Sequence, residues 1–349
     1  MRRLVSRPAS VNRPSASTSP RLRSPAMTAA SRFFGRWLMR PNDSGGWMPC
    51  SIADRTWASV PPIRAPTSAA TCPSPRCSRS TVASAPVNRW RRPVRLGSVA
   101  AVRQDEIWDV ETARQYDTPG VGMFSPEVLG PTVDRLVELA DGGAALEFAV
   151  GTGRVAVPLG ERGVPVTGIE LSRPMVDQLR TRADEATVPV IVGDMATARA
   201  PGRYSLVYLM FNTIGNLLTQ DEQVECFRNA ARHLRPGGRF VVELGVPDLR
   251  VLPPGQQAVV FAAEPGYLGV DTYDVLRQHL VSHHVRFGDG RDARLFRSPH
   301  RYVWPAELDL MGRLAGFDLE CRHADWVGAE FTAESRSHVS VYRLPGTDV

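Results

Sequence analysis

Lysine is absent from the chain, so all 42 basic side chains are arginines. Cysteine is scarce as well, with five residues in 349: Cys50, Cys72, Cys77, Cys226 and Cys321. This odd number, without metal-binding spacing, indicates neither a disulfide framework nor a zinc site, so we expect no bound metal. The exclusive use of arginine, beside abundant Ala, Gly and Pro, indicates a GC-rich coding sequence rather than a surface selected for binding.

Long apolar runs are also missing. No stretch reaches the roughly 20 apolar residues of a membrane-spanning helix. No apolar run follows Met1-Arg2-Arg3, as a secretory signal would require. Because unpaired cysteines fit a reducing compartment, we expect a soluble, cytoplasmic protein that does not act at a membrane.

Charge divides the chain into two parts. Residues 1–100 hold 17 arginines and two acids, whereas residues 101–349 hold 25 arginines and 34 acids. The first part therefore carries about +15 and the second about −9, although the whole chain carries +6. The overall positive charge says nothing about a folded domain, and nucleic acid is not an expected partner.

Residues 1–100 are rich in Ser, Pro and Arg and have no sustained periodicity, which predicts a disordered extension. A nucleic-acid-binding arm and an organelle transit peptide are functional alternatives. Scattered arginines disfavour the first, and dense prolines disfavour the amphipathic helix that the second needs. We expect instead that the true translational start lies downstream and that residues 101–349 form the folded domain.

The most informative motif joins an apolar strand to a glycine turn, Leu146-Glu147-Phe148-Ala149-Val150-Gly151-Thr152-Gly153-Arg154. Bare glycines let a ligand lie against main-chain amides at the positive end of the following helix. Taken alone, Gly151-x-Gly153-x-x-Ala156 also fits the relaxed dinucleotide fingerprint. The turn by itself therefore leaves the nucleotide-like ligand open.

Acidic residues accompany the first three predicted strands. Glu147 lies inside the first strand, Glu170 ends the second (164–169) and Asp194 ends the third (188–193). Open α/β sheets bind ligands at the carboxyl ends of their strands. Glu170 is placed to accept hydrogen bonds from the two hydroxyls of a ribose, and Asp194 from an exocyclic amino group.

In these residues the chain resembles the class I S-adenosylmethionine-dependent methyltransferases, over roughly residues 105–345. The first motif of that family, acidic-x-Gly-x-Gly-x-Gly, corresponds to Glu147-x-Ala149-x-Gly151-x-Gly153, with alanine replacing the first glycine. By this resemblance, Glu170 is the ribose-binding acid and Asp194 lies beside the adenine amino group. Pro236-Gly237-Gly238 resembles the turn before the fifth strand of the family.

The resemblance implies S-adenosyl-L-methionine as cofactor and methyl transfer to an N or O nucleophile on a small molecule. The acidic folded part has no basic groove for nucleic acid. The alternatives are an NAD-binding Rossmann oxidoreductase and a non-catalytic, methyltransferase-like binding domain. Asp194 and Pro236-Gly237-Gly238 disfavour the first, because a dinucleotide fold needs neither. The intact motif acids and glycines disfavour the second.

The expected cofactor-binding residues lie along the crevice or over it. Arg154 is placed to meet the cofactor carboxylate, and Tyr116, in the helical-length stretch 108–116, to cover the cofactor. Asn212, at the end of strand four, and Asn216 are contact candidates, although polar turn residues explain them equally well. The full set is Glu147, Ala149, Gly151, Gly153, Arg154, Glu170, Leu171, Asp194, Met195, Asn212 and Tyr116.

Catalysis needs few groups, because methyl transfer from a sulfonium is a direct displacement and a base is optional. If the acceptor must lose a proton, histidine is the residue type poised to take it. We place this role first on His279 and His283, with Tyr273 orienting the substrate. His284, His300 and Tyr302 are further candidates, although alternating histidines on a β-ribbon are often ordinary surface residues.

The alternation of strands and helices predicts an α/β, Rossmann-like, doubly wound sheet of seven strands with an antiparallel edge hairpin. Strands four and five are expected at 206–211 and 239–244, and the hairpin at 317–322 and 338–344. Predicted helices span 131–140, 155–163, a segment capped by Ser172, a segment from the capping box 219–222 to 234, and 305–315.

In residues 246–304 the alternation of strands and helices stops, and the pattern predicts a small antiparallel β insertion. Strand-like runs lie at 275–287 and 295–303, joined through the turn sequence Gly288-Asp289-Gly290. In the family that the chain resembles, an insertion at this place often covers the substrate. We therefore expect 246–304 to form a roof over the substrate.

Overall fold

The computed structural model describes residues 40–41, 47–48, 104–120, 122–288 and 292–346. Within the first hundred residues it describes one short antiparallel pair, Arg40–Pro41 with Trp47–Met48. The expectation of disorder for the remainder of that segment lies outside the described residues.

A seven-stranded sheet forms the centre of the domain. Its strands are β1 (Ala145–Phe148), β2 (Val166–Glu170), β3 (Val190–Val192), β4 (Tyr204–Leu209), β5 (Leu234–Gly245), β10 (Asp318–His323) and β11 (Ser337–Arg343). The first five are parallel, and β10 and β11 join as an antiparallel pair at one edge, in the order β10-β11-β5-β4-β1-β2-β3. This arrangement confirms the predicted Rossmann-like fold with its edge hairpin.

Seven α-helices accompany the strands in the part of the chain that the structure describes. They are α1 (Gln104–Ile107), α2 (Val110–Tyr116), α3 (Pro126–Ala140), α4 (Ala156–Glu161), α5 (Arg173–Leu179), α6 (Gln220–His233) and α7 (Pro305–Leu314). Both predicted caps are present. Ser172 Oγ accepts from Met175 N–H at 3.2 Å, and Thr219 and Glu222 form the reciprocal capping box of α6. None of these helices combines the length and apolar character needed to cross a bilayer.

Helix α3 differs from the prediction, which began it at Pro131. It begins five residues earlier, because Ser125 occupies the N-cap position and Pro126 the first helical position, which suits a residue without an N–H. Pro131 lies inside the helix, where its missing N–H removes one backbone hydrogen bond. The buried face of α3, including Val133 and Leu136, compensates by packing against the sheet.

The core fills both faces of the central sheet. An aromatic cluster that includes Phe148, Phe227 and Phe240 lies in one part, and an aliphatic cluster around Leu136 and Leu159 in the other. Strand β4 is buried along all six residues, as a central parallel strand should be. Each fully buried side chain of this size contributes about 1.5–3 kcal/mol, so the core holds the strand ends in fixed positions.

The insertion forms a separate four-stranded antiparallel sheet. Its strands are β6 (Ala258–Glu264), β7 (Tyr267–Asp274), β8 (His279–Phe287) and β9 (Ala293–Arg301), in the order β9-β8-β7-β6. We call this sheet the roof. The predicted run 275–287 starts too early, because Asp274 Oδ1 accepts from Leu276 N–H and Arg277 N–H and closes a turn there.

The turn between β8 and β9 is described only in part. The turn predicted at Gly288-Asp289-Gly290 extends into residues 289–291, which lie outside the described residues. The paired strands on either side, β8 and β9, confirm that this part of the chain is a hairpin.

Candidate active site

The glycine turn after β1 has left-handed backbone at three positions: Ala149 (φ 52°), Gly151 (φ 58°) and Gly153 (φ 79°). At Gly153 a side chain would be doubly unfavourable. A Cβ atom there would lie 3.0 Å from Val157 Cγ2, in a backbone conformation that L-residues rarely adopt. The two glycines of the motif therefore permit a tight turn at the start of α4.

Glu170 is buried directly against this turn. Its Oε2 accepts from Gly151 N–H at 2.9 Å and its Oε1 from Ser172 N–H at 2.8 Å. Burial raises the pKa of the carboxyl above its ordinary value, and the backbone donors partly offset that rise. The acid at the end of β2 thus lies beside the glycine turn, as its predicted role requires.

A cavity of about 340 Å³ extends from this point along the ends of β1, β2 and β3, and we call it the crevice cavity. Its volume lies in the usual range for small-molecule sites. Five of the residues predicted to bind the cofactor line it together: Ala149, Glu170, Leu171, Asp194 and Met195. Asp194 Oδ1 accepts from Ala196 N–H at 2.7 Å, which orients the carboxylate at the end of β3.

Glu147 and Arg154 lie outside this lining. The side chain of Glu147 is buried below the turn, where Tyr208 Oη donates to Oε2 at 3.0 Å, and burial raises its pKa to about 8. Arg154 Nη1 donates to Met123 O at 3.1 Å, and its guanidinium lies between the rings of Phe124 and Phe211, 5.8 and 5.9 Å from their centroids. Glu147 and Arg154 therefore contact protein groups around the turn and do not line the crevice cavity.

The segment around α2 is fastened over the crevice. Thr152 Oγ1 donates to Asp117 Oδ1 at 2.6 Å, and Asp117 also forms an ion pair with Arg182. Ser172 Oγ donates to Trp108 O at 2.6 Å. The predicted cover residue Tyr116 packs edge-on against Trp108, but its side chain lines the cavity under the roof rather than the crevice cavity.

Gln104 is a site residue that the sequence analysis missed. Its Nε2 donates to Pro299 O on β9 at 3.3 Å, and the residue lines the crevice cavity, where its Oε1 is the atom left over. That oxygen is buried and has no hydrogen-bond partner among the described residues. Buried acceptors are normally satisfied, so this position fits a ligand that brings a donor. No local sequence signal marked Gln104, because its role depends on contact with the distant strand β9.

Two further cavities lie between the roof and the strand ends. The roof cavity, about 250 Å³, separates the roof from α1 and α2, and the inner cavity, about 90 Å³, lies at the ends of β4 and β5. Ser282 and His300 line both of them. Asn216 lines both the inner and the crevice cavity, and Trp108 both the roof and the crevice cavity. The three cavities therefore adjoin.

The histidines of the roof separate by face, because successive side chains of a strand point to opposite sides. His284 and His300 lie on the face that lines the cavities. His279 and His283, the residues expected first, lie on the other face, where their Nε2 atoms contact Leu218 O at 2.9 Å and Thr272 Oγ1 at 3.0 Å. The structure thus does not bring these two to the cavities.

The two tyrosine candidates separate in a similar way. Tyr273 is buried and lines neither cavity under the roof; its ring centroid lies 6.3 Å from that of Tyr302. Tyr302 lines the inner cavity. Of the pair, Tyr302 is therefore the one available to a substrate, with Tyr273 packed behind it.

His300 occupies the junction of the cavities. Its Nδ1 lies 3.1 Å from Asn216 Oδ1 and its Nε2 lies 2.6 Å from Ser298 Oγ. Burial lowers its pKa to about 4, so the ring is neutral near pH 7. His284, whose Nδ1 lies 2.6 Å from Tyr267 Oη, has its pKa lowered by burial to about 3. Neither ring carries a positive charge at neutral pH.

The end of β4 is held in an unusual conformation. Phe211 (φ 49°) and Asn212 (φ 62°) are consecutive left-handed residues, a costly arrangement for side chains other than glycine. Glu243 accepts from Phe211 N–H at 2.9 Å and Asn212 Oδ1 accepts from Gly245 N–H, which fixes the pair. Asn212 consequently lines the inner cavity rather than the crevice cavity.

Comparison with known proteins identifies the class of this site. A family model described as a methyltransferase domain matches residues 145–238. The solved structure of the CcbJ methyltransferase from Streptomyces caelestis is 40% identical, covers 62% of this chain and 89% of its own, and has a TM-score of 0.56.

Two curated enzymes are also similar to this chain. The cypemycin N-terminal methyltransferase of a Streptomyces species is 26% identical over 211 residues, which span 58% of this chain and 83% of that enzyme. A dTDP-3-amino-3,4,6-trideoxy-alpha-D-glucopyranose N,N-dimethyltransferase from Streptomyces venezuelae is 36% identical over 98 residues, 28% of this chain and 40% of that enzyme.

The fold, the glycine turn and these similarities agree. The chain belongs to the class I S-adenosylmethionine-dependent methyltransferases, as its motifs predicted, and its cofactor is S-adenosyl-L-methionine. The oxidoreductase alternative finds no support among the relatives. The individual residue roles within the site remain predictions.

Proposed function

We propose that this enzyme methylates an N or O nucleophile of a small molecule bound in the roof and inner cavities. The observation that carries the proposal is the junction of the three cavities at Asn216 and His300, which joins a cofactor site to an enclosed second site. The name of the second curated relative specifies N,N-dimethyl transfer to an amino sugar, which supports a nucleophile of this kind.

The crevice cavity fits the adenosyl part of the cofactor. Glu170 would accept from the ribose hydroxyls and Asp194 from the adenine amino group, with Leu171 and Met195 against the base. The buried, unpartnered Oε1 of Gln104 offers a further acceptor. The carboxylates, the glycine turn and the orphaned acceptor together form a site that matches a ligand with several donor groups.

When bound, the cofactor supplies an electrophilic methyl group. The chain itself has to align the acceptor and exclude water. The roof closes the second site from above, and the segment 104–117 closes it from the side. We therefore assign the insertion 246–304 the role of substrate roof within a catalytic domain of residues 101–349.

Calorimetric titration with S-adenosyl-L-methionine and with NAD tests the cofactor assignment. We expect saturable binding of the first and none of the second. Glu170→Gln should weaken binding by about tenfold or more, because a charge-assisted hydrogen bond is lost. The matched control is Glu138→Gln, on the exposed surface of α3. Equal affinities of the Glu170 variant and the unaltered protein would contradict the ribose role.

Incubation of the purified protein with radiolabelled methyl donor and fractionated metabolite extracts tests the transfer itself. Label should appear in a small-molecule fraction only when the enzyme is present. If the protein binds the cofactor but transfers label to no small molecule, the non-catalytic alternative is supported instead.

A further inference from the structure

A row of polar side chains crosses the roof on the face that lines the cavities. Ser282 on β8 is the direct cross-strand partner of Asp271 on β7 and of Ser298 on β9. Direct partners point to the same side of a sheet. Ser282 and Ser298 line the roof cavity, while Asp271 is buried behind Ser282. Two hydroxyls thus lie side by side in the wall of the roof cavity.

The hydrogen bonds of Ser282 and Ser298 determine whether the proton or the oxygen of each hydroxyl is available to the cavity. Ser282 Oγ donates to Asp271 Oδ1 at 2.7 Å. Asn216 Oδ1 can only accept, so His300 Nδ1 carries the proton of that 3.1 Å contact, and the neutral ring accepts at Nε2 from Ser298 Oγ at 2.6 Å. Both serine protons point away from the ligand. Toward the cavity the two serine oxygens can therefore act only as acceptors.

From this arrangement we infer that the methyl acceptor is a primary amine, whose two N–H groups donate to Ser282 Oγ and Ser298 Oγ. This inference rests on the proposed function and specifies its acceptor. Two adjacent acceptors match the two N–H donors of a primary amine and leave the nitrogen lone pair free. An alcohol has a single donor, so it would satisfy only one of the serines.

The charge around the row fits the same acceptor. The ammonium form of the amine first loses a proton to solvent. In the transfer, the nitrogen lone pair so freed forms the new C–N bond, and the electrons of the broken C–S bond remain on sulfur. The positive charge moves from sulfur to nitrogen, and the surplus N–H proton is lost to solvent when the product leaves. Asp271, whose pKa burial raises to about 6, is still ionised at neutral pH and lies one hydroxyl away from that charge.

An alcohol would also require a base during the transfer, because its oxygen must lose a proton to yield a neutral ether. His300 is poorly suited to that task, since its Nε2 is occupied by Ser298 and its pKa is lowered by burial. His284 is engaged with Tyr267. The charged side chains Arg286 and Arg294 lie further along the same face, with Asp109 and Glu111 across the cavity. The inner end of the roof cavity thus favours a nucleophile that needs no base.

Matched acceptors test the inference with the full-length protein. Benzylamine, N-methylbenzylamine and benzyl alcohol share one ring and differ only in the nucleophile. We expect benzylamine to bind the complex with S-adenosylhomocysteine in calorimetry and to take up labelled methyl groups. N-methylbenzylamine and the alcohol should each bind at least tenfold more weakly, because a single donor leaves one serine acceptor unsatisfied. The alcohol should also take up no label, because no base removes its proton.

Variants of the row provide a second, independent measurement. Asp271→Asn keeps the shape but removes the charge, and should raise the KM of the amines by about 10- to 100-fold. Ser282→Ala with Ser298→Ala should do the same, while cofactor affinity stays within twofold. Arg297→Gln, on the opposite face of β9, is the matched control and should leave both quantities unchanged.

The outcomes separate the two proposals. Methyl transfer to the alcohol at the rate of benzylamine, or no binding of benzylamine to a protein that binds the cofactor, overturns the amine assignment. Transfer to an alcohol would leave the proposed function intact. If Asp271→Asn fails to fold, the comparison of amines with alcohol on the unaltered protein still decides the matter.

Discussion

At the scale of single residues, Ala149 is where the chain departs from the family motif. It adopts φ 52°, which costs an L-residue roughly 1–2 kcal/mol, whereas glycine adopts it freely. Replacing the alanine by glycine would recover only part of this energy, because glycine loses more conformational entropy than alanine when the chain folds. The turn therefore holds strain that one substitution can release.

We expect Ala149→Gly to raise the free energy of unfolding by about 0.5–1 kcal/mol, measured by urea denaturation. Ala145→Gly, in the regular part of β1, is the control and should lower stability, because no positive φ is relieved there. A destabilised Ala149→Gly variant would show that the alanine methyl group contributes more by packing than it costs in strain.

Glu147 should make stability depend on pH. Burial raises the pKa of its carboxyl from 4.5 to about 8 in the folded state. Between those two values only the folded protein holds the proton, so the contribution of this group to stability is greatest below pH 4.5 and is lost as pH rises toward 8.

Glu147→Gln should remove this dependence while keeping an acceptor for the hydroxyl of Tyr208. Relative to the unaltered protein, the variant should gain stability on the order of a few kcal/mol between pH 5 and pH 8. Urea denaturation at several pH values measures the difference. Parallel curves for the two proteins would mean that Glu147 is ionised in the folded state.

At the scale of elements, a buried ion pair helps to hold the roof on the domain. Arg301, at the end of β9, is 5% exposed, forms an ion pair with Glu307 of α7 at 2.6 Å and donates to Gln223 of α6. Loss of one partner of a buried ion pair leaves the other uncompensated. We therefore expect this contact to contribute to the position of the roof over the strand ends.

Arg301→Met should lower the free energy of unfolding by about 3 kcal/mol and raise the KM for the methyl acceptor more than the affinity for the cofactor changes. Adding Glu307→Met should restore part of the stability, because no buried charge is then left alone. Denaturation and steady-state kinetics of the single and double variants measure both effects. Additive losses in the double variant would contradict a coupled pair.

At the scale of the whole molecule, the first hundred residues and residues 101–349 carry net charges of opposite sign. A protein beginning at Ala101 should match the full chain in cofactor affinity and in free energy of unfolding to within about 0.5 kcal/mol, because surface changes away from the core have small effects. Its net charge becomes about −9, so it should bind an anion exchanger. A marked loss of cofactor affinity would assign the basic segment a role in the site.

The sequence alone determined the features that local chemistry controls. Alternating strands and helices, the caps at Ser172 and Thr219, and the glycine turn all depend on neighbours within a few residues, and each has the predicted form. The roof was anticipated as an antiparallel insertion, although strands β6 and β7 were not, since their short alternating runs resemble loops. These elements depend on one another for burial rather than on local propensity.

Only the tertiary structure decided which side chains meet at the acceptor site. Alternation along β8 places His283 and His284 on opposite faces, but the pairing with β7 and β9 and the packing over the strand ends determine which face is inside. For the same reason Gln104 and Asp271 could not be identified from the sequence. A local pattern specifies how side chains alternate, whereas contacts between distant segments specify what they face.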